Sequence, residues 1–300
     1  MIPNFLIAGG VASGTSFLSS ALMHHPEIYL PKVQRPEPNF FHYTWKFSKG
    51  ISWYQDSWFQ EVGNQKAVGE RSSLLLSSKV AARKIRQTFK QIKLVFCLRN
   101  PIERAWGNYR FTVLEGLETL SFEQAINTEH ERIKKAAGKW AEVQPHAYIN
   151  RGYYSERIKE YLNLFGRENI LILKSEELGD DPHGNFQRVC RFLGVDPSVE
   201  LPVPPKYTSP SVKDRLLQAE LRDYFGDRFS LFVEHIRKGK DAQTLVNGDM
   251  DYKNFTRLKS NLEFKKVTLS DETRQQLRLI FEEDIRRLQD IVDFPVDDWS

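Results

Sequence analysis

The sequence predicts an α/β fold with three layers, in which helices cover both faces of a central parallel sheet. Two observations predict it. Short apolar runs of strand length alternate with longer segments of helical periodicity along the 300 residues. The first apolar run is also followed at once by glycines and then by a helical segment. Strands that alternate with helices in this way form parallel sheets with right-handed crossover connections.

Five apolar runs are predicted as the strands of this sheet. The run at residues 94–98 is apolar throughout, which is typical of a strand buried on both faces. We therefore expect it near the centre of the sheet. The other predicted strands lie at residues 5–8, 28–30, 67–70 and 170–174.

Helical patterns fill the intervals between these runs. Ser121 and Gln124 fit a capping box at the start of a helix over residues 121–136, and Gly194 ends a helix over 186–193. A polar, glycine-bearing segment at 238–251 is expected to be mobile. Further helices are predicted at residues 17–23, 45–59, 80–89, 101–111, 155–165 and 212–236, and from Ser270 to Ile291.

Composition and charge narrow the classes of function. The net charge of +4 suits an anionic small ligand but is too small and too dispersed to indicate nucleic acid. The two cysteines and the absence of a metal-ligand pattern argue against a disulfide framework and a metal site. No apolar run approaches the ~20 residues of a membrane span, and no signal-peptide pattern opens the chain. We expect one cytoplasmic domain over residues 1–300, without stable membrane insertion, whose part from about 211 is helical and partly mobile.

Residues 9–16 form a candidate anion-binding loop. Gly9 and Gly10 end the first apolar run, and Ser13-Gly14-Thr15-Ser16 opens the helix. The first N–H groups of a helix have no internal partner, and the helix dipole attracts anions to them. The loop lacks the Gly-Lys-Ser/Thr of the Walker A pattern, and its glycine spacing does not fit G-x-G-x-x-G. An ordinary capped turn between strand and helix explains this stretch equally well.

Two charged residues stand in informative places. Glu37 lies between two prolines, which fix φ and hold it on a stiff extended loop. Arg99 directly follows the apolar run at 94–98, at the carboxyl edge of the sheet where open α/β folds bind ligands. The alternatives are a surface carboxylate for Glu37 and a surface arginine paired with an acid for Arg99.

Taken together and in this order, the segments resemble the PAPS-dependent sulfotransferases, most closely the branch that includes the heparan sulfate sulfotransferases. The resemblance extends over most of the chain and implies the P-loop-like sulfotransferase fold. It rests on Gly9 to Leu18 (phosphosulfate loop), Glu37-Pro-Asn-Phe-Phe41, Glu70-Arg-Ser-Ser73, Leu98-Arg-Asn-Pro101 through Tyr109 (3′-phosphate strand and helix), Arg151-Gly-Tyr-Tyr154, Arg191-Phe-Leu-Gly194 and the last helix with Trp299.

The resemblance implies that the protein moves a sulfuryl group from PAPS to a hydroxyl or amine of a carbohydrate, lipid or small-molecule acceptor and releases PAP, without a metal. It implies Glu37 as the general base and Arg71 as a catalytic cation. Because the Golgi anchor of the animal polysaccharide enzymes is missing, we expect a bacterial enzyme. The nucleotide-binding positions implied are Ala12, Ser13, Gly14, Thr15 and Ser16 for the 5′-phosphosulfate, and Arg99, Gly107, Asn108 and Arg151 for the 3′-phosphate end.

Three positions depart from the family pattern. Ala12 stands where the family usually has Lys or Arg, Gly107 where it has Ser, and Asn39 where it has His. The first departure removes a cation that meets charge on the leaving phosphate. Arg71 is the predicted substitute, with Lys32 and Arg35 as alternatives.

Two other classes of protein compete with this hypothesis. The substitutions at Ala12 and Gly107 would suit a non-catalytic nucleotide-binding relative. A P-loop kinase would need a loop lysine and an acidic residue after an apolar strand to hold Mg²⁺. Ala12 and Arg99 occupy those two places, and neither residue can serve the function that a kinase needs there.

Overall fold

A five-stranded parallel sheet organises the computed structural model, which describes residues 3–32, 36–205, 209–240, 245–265 and 267–299. The strand order is β2-β3-β1-β4-β5, and every neighbouring pair is parallel. The predicted fold class and all five predicted strands are confirmed. The strands are β1 (Phe5–Ile7), β2 (Ile28–Tyr29), β3 (Ala67–Arg71), β4 (Lys93–Leu98) and β5 (Ile170–Lys174).

Helices follow the strands, as the alternating pattern predicts. Three predicted helices are each divided in two: residues 45–59 at Gly50, 121–136 at Thr128 and 212–236 at Gly226. Gly50 and Gly226 have φ of 84° and 54°, and these positive values interrupt right-handed helical geometry at both positions. The helices are α1 (Thr15–Leu22), α2 (Thr44–Phe47), α3 (Gly50–Trp58), α4 (Ala81–Thr88), α5 (Pro101–Leu114), α6 (Phe122–Asn127), α7 (Glu129–Lys135), α8 (Lys139–Val143), α9 (Ser155–Phe165), α10 (Ser175–Asp180), α11 (Pro182–Leu193), α12 (Arg215–Phe225), α13 (Phe229–Arg237), α14 (Asp249–Asn261) and α15 (Asp271–Gln289).

The chain divides into two compact units. The first contains the sheet and comprises residues 1–104, 150–206 and 278–300. The second comprises residues 105–149 and 207–277. The prediction of a single domain stays a prediction.

Side chains of β4 alternate between the two helical layers of the first unit. Val95 and Cys97 belong to the apolar cluster formed with residues of α1 and α11. Phe96 faces the other layer, where its ring lies 4.9 Å from that of Tyr161 on α9. Both faces of the sheet are therefore covered by helices, and the uninterrupted apolar run of β4 follows from this burial.

Packing of the Phe5 ring over the sheet depends on a glycine. Phe5 pairs with Gly69, and a Cβ at Gly69 would lie 2.5 Å from the Phe5 ring. All three residues of β1 are fully buried. The Phe5 ring can therefore lie over position 69 only because that position carries no side chain.

In the second unit, α14 begins within the segment predicted to be mobile. Residues 249–251 form the first turn of the helix, and the mobility of the segment stays a prediction. Asp251 is only 4% exposed, and its carboxylate accepts hydrogen bonds from Tyr224, Arg228 and the Asn247 N–H. Residues 241–244 of the segment lie outside the described residues. A short antiparallel pair, β6 (Ser211–Val212) with β7 (Leu262–Glu263), was not predicted.

Candidate active site

The loop between β1 and α1 is fixed by backbone hydrogen bonds to its neighbours. Ala8 N–H donates to Val95 O and Gly10 N–H to Cys97 O, both at 2.8 Å. Gly9 has φ 137°, and a Cβ there would lie 2.7 Å from Leu76 Cβ. The loop therefore lies over the carboxyl ends of β1 and β4, where only glycine fits at position 9.

The start of α1 has the properties expected of an anion-binding turn. Gly14 precedes the helix with φ 83°, and no described side chain caps it. Ser13 and Thr15 are buried, whereas Ser16 is exposed. The N–H groups of this turn and the Ser16 hydroxyl can therefore donate to an external anion.

Arg99 lies against the loop, as its place after β4 predicts. Its Nη1 donates to the Ala12 carbonyl at 3.2 Å, and its Nη2 lies 4.0 Å from the Glu103 carboxylate. Its side chain is 34% exposed, so the guanidinium retains access to a ligand. The structure thus brings together Arg99 and the predicted loop residues.

Tyr154 joins these two parts, and the sequence did not identify it as a site residue. Its buried hydroxyl donates to the Arg99 carbonyl at 2.9 Å and is hydrogen-bonded to the Ser13 hydroxyl. Burial raises the pKa of Tyr154 to about 12, so the phenol stays neutral. The predicted Arg151 lies three residues earlier in a 3₁₀ turn and is 8% exposed. The only signal in the sequence was that both lie in one Arg-Gly-Tyr-Tyr segment.

Glu37 and Arg71 form an ion pair. Arg71 Nη1 donates to Glu37 Oε1. Glu37 Oε2 accepts from the Ser73 N–H at 2.7 Å, the Ser73 hydroxyl at 2.8 Å and Asn39 Nδ2 at 3.3 Å. The Arg71 side chain is 4% exposed and that of Glu37 is 14% exposed. The two predicted catalytic residues are therefore in contact, and Ser73, which the sequence did not identify, holds the carboxylate.

The loop that carries Glu37 is fixed from behind by a buried lysine. Lys46 Nζ donates to the carbonyls of Glu37 at 3.2 Å and Pro38 at 2.5 Å. Burial lowers the pKa of Lys46. Asn39 then turns the chain with φ 43°, a left-handed conformation that asparagine tolerates better than most residues. The extended loop predicted between the prolines therefore ends at Asn39.

Glu70 lies beneath this ion pair with no exposed surface. Tyr54 donates its hydroxyl to Glu70 Oε1 at 3.1 Å, and Ser72 donates to both carboxylate oxygens, at 3.0 and 2.8 Å. Burial raises the pKa of Glu70 to about 7. The sequence placed Glu70 in a family-like segment but gave it no role.

The ion pair and the loop share one edge of the sheet. Arg71 pairs with Ile7, and the Ser72 N–H donates to the Ile7 carbonyl at 3.0 Å. A Cβ on Gly9 would lie 3.1 Å from the Ser73 carbonyl. The turn that holds Glu37 therefore packs directly on the glycine loop.

The remaining predicted residues are Gly107, Asn108, Lys32 and Arg35. Gly107 and Asn108 are on the part of α5 that belongs to the second unit, and Asn108 is 1% exposed. Their assignment to the nucleotide stays a prediction. Lys32, an alternative cation, forms an exposed ion pair with Glu61 at 2.6 Å. Arg35 lies outside the described residues.

The described residues contain no group of three or more His, Cys, Asp or Glu that could hold a metal ion. In the same part of the chain, no helix combines the length and apolar character needed to cross a membrane.

A parallel sheet with a glycine loop at its carboxyl edge is an arrangement that α/β proteins use to bind nucleotides. The sulfotransferase domain family matches residues 3–288, and the chain belongs to this family. The family resemblance predicted from the sequence is confirmed.

Individual relatives that the chain resembles are also named as sulfotransferases. The chain is 30% identical over 162 residues to the membrane-associated sulfotransferase kil1 of Dictyostelium discoideum, covering 48% of this chain and 33% of that protein. It is 27% identical over 194 residues to heparan sulfate glucosamine 3-O-sulfotransferase 3B1 of Mus musculus, covering 65% of this chain and 46% of that protein. The matches thus span less than half of each of these relatives.

A solved structure matches over the whole length. The sulfotransferase from Alicyclobacillus acidocaldarius superimposes with a TM-score of 0.71 and 24% identity, covering 100% of this chain and 99% of that one. At this level of identity the match shows the shared fold.

Proposed function

We propose that the protein transfers a sulfuryl group from PAPS to a hydroxyl or amine of an acceptor and releases PAP. One observation carries the proposal: the Glu37–Arg71 pair lies on the same sheet edge as the glycine loop and Arg99. Membership of the sulfotransferase family supports it.

PAPS suits the residues at this edge. The free N–H groups at the start of α1 and the exposed Ser16 hydroxyl would bind the 5′-phosphosulfate. Arg99, with a third of its side chain exposed, would bind the 3′-phosphate. The missing side chains at Gly9 and Gly14 let the loop backbone pack closely against Leu76 and Leu178, which fixes the shape of the loop.

The transfer step needs a base and a cation. The acceptor oxygen or nitrogen forms a bond to sulfur while the bond from sulfur to the 5′-phosphate oxygen breaks. Glu37 would take the acceptor proton, and a general base typically contributes ~10²–10⁴-fold. Arg71 would stabilise the negative charge that develops on the PAP leaving group.

The ion pair leaves one acceptor site open for this chemistry. Three of the four hydrogen bonds that Glu37 accepts go to Oε2, whereas Oε1 accepts only from Arg71. Because each carboxylate oxygen has two lone-pair sites, an acceptor hydroxyl can donate to Glu37 Oε1 beside Arg71.

The acceptor is the open part of the proposal. The relative from Mus musculus is named for heparan sulfate glucosamine, so we include a heparan sulfate oligosaccharide among the acceptors to be tested. Lipid and small-molecule acceptors stay in the proposal. The cytoplasmic location and the bacterial origin predicted from the sequence stay predictions.

Two measurements test the proposed function. Isothermal titration with PAP measures binding, and release of PAP from PAPS measures turnover with three acceptors: a heparan sulfate oligosaccharide, 4-nitrophenol and a glycolipid. We expect binding together with turnover of at least one acceptor. Binding without turnover would favour a non-catalytic nucleotide-binding relative, and no binding would exclude both readings.

A further inference from the structure

We propose that Glu70 is a positioning residue that acts through the Ser72 hydroxyl to fix the segment carrying Glu37. The inference rests on the proposed function, in which Glu37 is the general base. Glu70 itself lies one layer beneath the ion pair and acts only through other residues.

The hydrogen bonds that link Asn39, Ser72 and Glu70 all donate toward the Glu70 carboxylate. The Asn39 N–H donates to the Ser72 hydroxyl oxygen at 2.7 Å, and the Ser72 hydroxyl donates to Glu70. A hydroxyl has one hydrogen, so giving it to the carboxylate leaves the oxygen lone pairs facing Asn39. A charged acceptor also polarises the hydroxyl and strengthens the bond that it accepts.

This chain of bonds ends at the proposed base. Asn39 Nδ2 donates to Glu37 Oε2 at 3.3 Å, while Asn39 Oδ1 accepts from the Leu74 N–H at 3.4 Å. The backbone of Asn39 has φ 43°, a conformation that costs energy unless the surroundings hold it. The bond from Asn39 N–H to Ser72 is one of the contacts that hold it.

The turn after β3 therefore holds Glu37 through two sets of hydrogen bonds, which we call two routes. Ser73 binds the Glu37 carboxylate directly with its N–H and hydroxyl. Ser72, its neighbour, binds the backbone two residues after Glu37. The first route orients the carboxylate, and the second fixes the chain that carries it.

The charge of Glu70 changes near neutral pH. Burial raises its pKa to about 7, the Glu37 carboxylate adds to this rise, and Arg71 opposes it. Lys46 is the other cation that interacts with Glu70, and Tyr54 faces the carboxylate with its hydroxyl. When Glu70 is protonated, its carboxyl group carries a hydrogen of its own, although its oxygens already accept hydrogens from the Ser72 and Tyr54 hydroxyls. The series of hydrogen bonds from Asn39 through Ser72 to Glu70 is therefore complete only above this pKa, where Glu70 is ionised.

A matched pair of variants tests the inference. Ser72→Ala and Tyr54→Phe each remove one hydroxyl donor from Glu70, but only Ser72 leads on to Asn39. The measurement is hydrogen exchange at the Asn39 amide by NMR, expressed as a protection factor and corrected for global stability by urea unfolding. Since a hydrogen bond contributes ~1 kcal/mol, we expect about fivefold lower protection in Ser72→Ala. In Tyr54→Phe, protection at Asn39 should stay near that of the wild type.

A pH series separates positioning from mere structural support. In the wild type, Asn39 protection and kcat should both rise as the pH increases through about 7, with the KM for PAPS unchanged. Glu70→Gln cannot ionise, so it should have a lower kcat and lose this inflection in both quantities. If Glu70→Gln does not fold, the Ser72→Ala and Tyr54→Phe pair decides alone.

Three outcomes would overturn the inference. The first is wild-type protection at Asn39 in Ser72→Ala, and the second is equal loss of protection in both hydroxyl variants. The third is a wild-type kcat in Ser72→Ala despite faster exchange. The proposed function fails separately, when PAP does not bind, and full turnover in Glu37→Gln would remove only the role of Glu37 as the base.

Discussion

Arg71 donates from Nη1 to Oε1 of Glu37, so the proposed cation and the proposed base form one ion pair. Both side chains are nearly buried. Removing one partner of such a pair leaves the other charge without compensation. Substitution at either position should therefore affect the site more strongly than the loss of an exposed ion pair.

For Arg71→Ala we expect turnover of PAPS to fall by ~10²-fold or more, since a preorganised cation at a developing charge is typically worth ~2.7–4 kcal/mol. PAP affinity should change less, because Arg71 serves the transition state. Measured kcat and the Kd for PAP check this. The control is Lys32→Ala, which should leave turnover unchanged because its ion pair with Glu61 is exposed to solvent. Wild-type turnover in Arg71→Ala would place the cation elsewhere.

Glu37→Gln keeps the shape of the side chain and removes the base. We expect turnover to fall by ~10²–10⁴-fold with PAP binding retained, because Glu37 should act on the acceptor. Steady-state kinetics beside isothermal titration with PAP separate the two effects. Near-normal turnover would mean that another group accepts the proton.

PAP should stabilise the fold. A ligand that binds only the folded state adds ~2.7 kcal/mol at 100 times its Kd. Arg99→Ala should reduce the thermal shift with PAP but leave the smaller shift with 5′-AMP, which lacks the 3′-phosphate, nearly unchanged. An equal loss with both ligands would argue that Arg99 supports the loop through the Ala12 carbonyl and does not bind the 3′-phosphate.

Glu70 should make stability depend on pH. Its pKa is raised from 4.5 to about 7 in the folded protein, so the folded state holds more protons than the unfolded state between these values. The contribution of Glu70 to the free energy of unfolding is therefore greatest below pH 4.5 and is lost as the pH rises to about 7. Urea unfolding of the wild type and Glu70→Gln from pH 5 to 8 measures it. Parallel pH dependence in the two proteins would contradict the assignment.

The elements that the sequence predicted correctly are those with local signals. Strand β4 and Arg99 follow from one apolar run and the residue after it, and the loop follows from its glycines. Ser73 and Tyr154 have no such signal. Ser73 is 36 positions from the Glu37 that it binds, and Tyr154 is 55 positions from Arg99. Single polar partners of this kind depend on tertiary packing, which periodicity does not encode.

The contact between Gly69 and Phe5 has a consequence for engineering this protein. Randomised libraries aimed at new acceptors would naturally include the residues around Glu70 and Arg71. Any side chain introduced at position 69 would meet the buried Phe5 ring at 2.5 Å and displace it from its place in the core. Such libraries should hold Gly69 and Phe5 constant, because variants lost there would report on core packing and reveal nothing about acceptor preference.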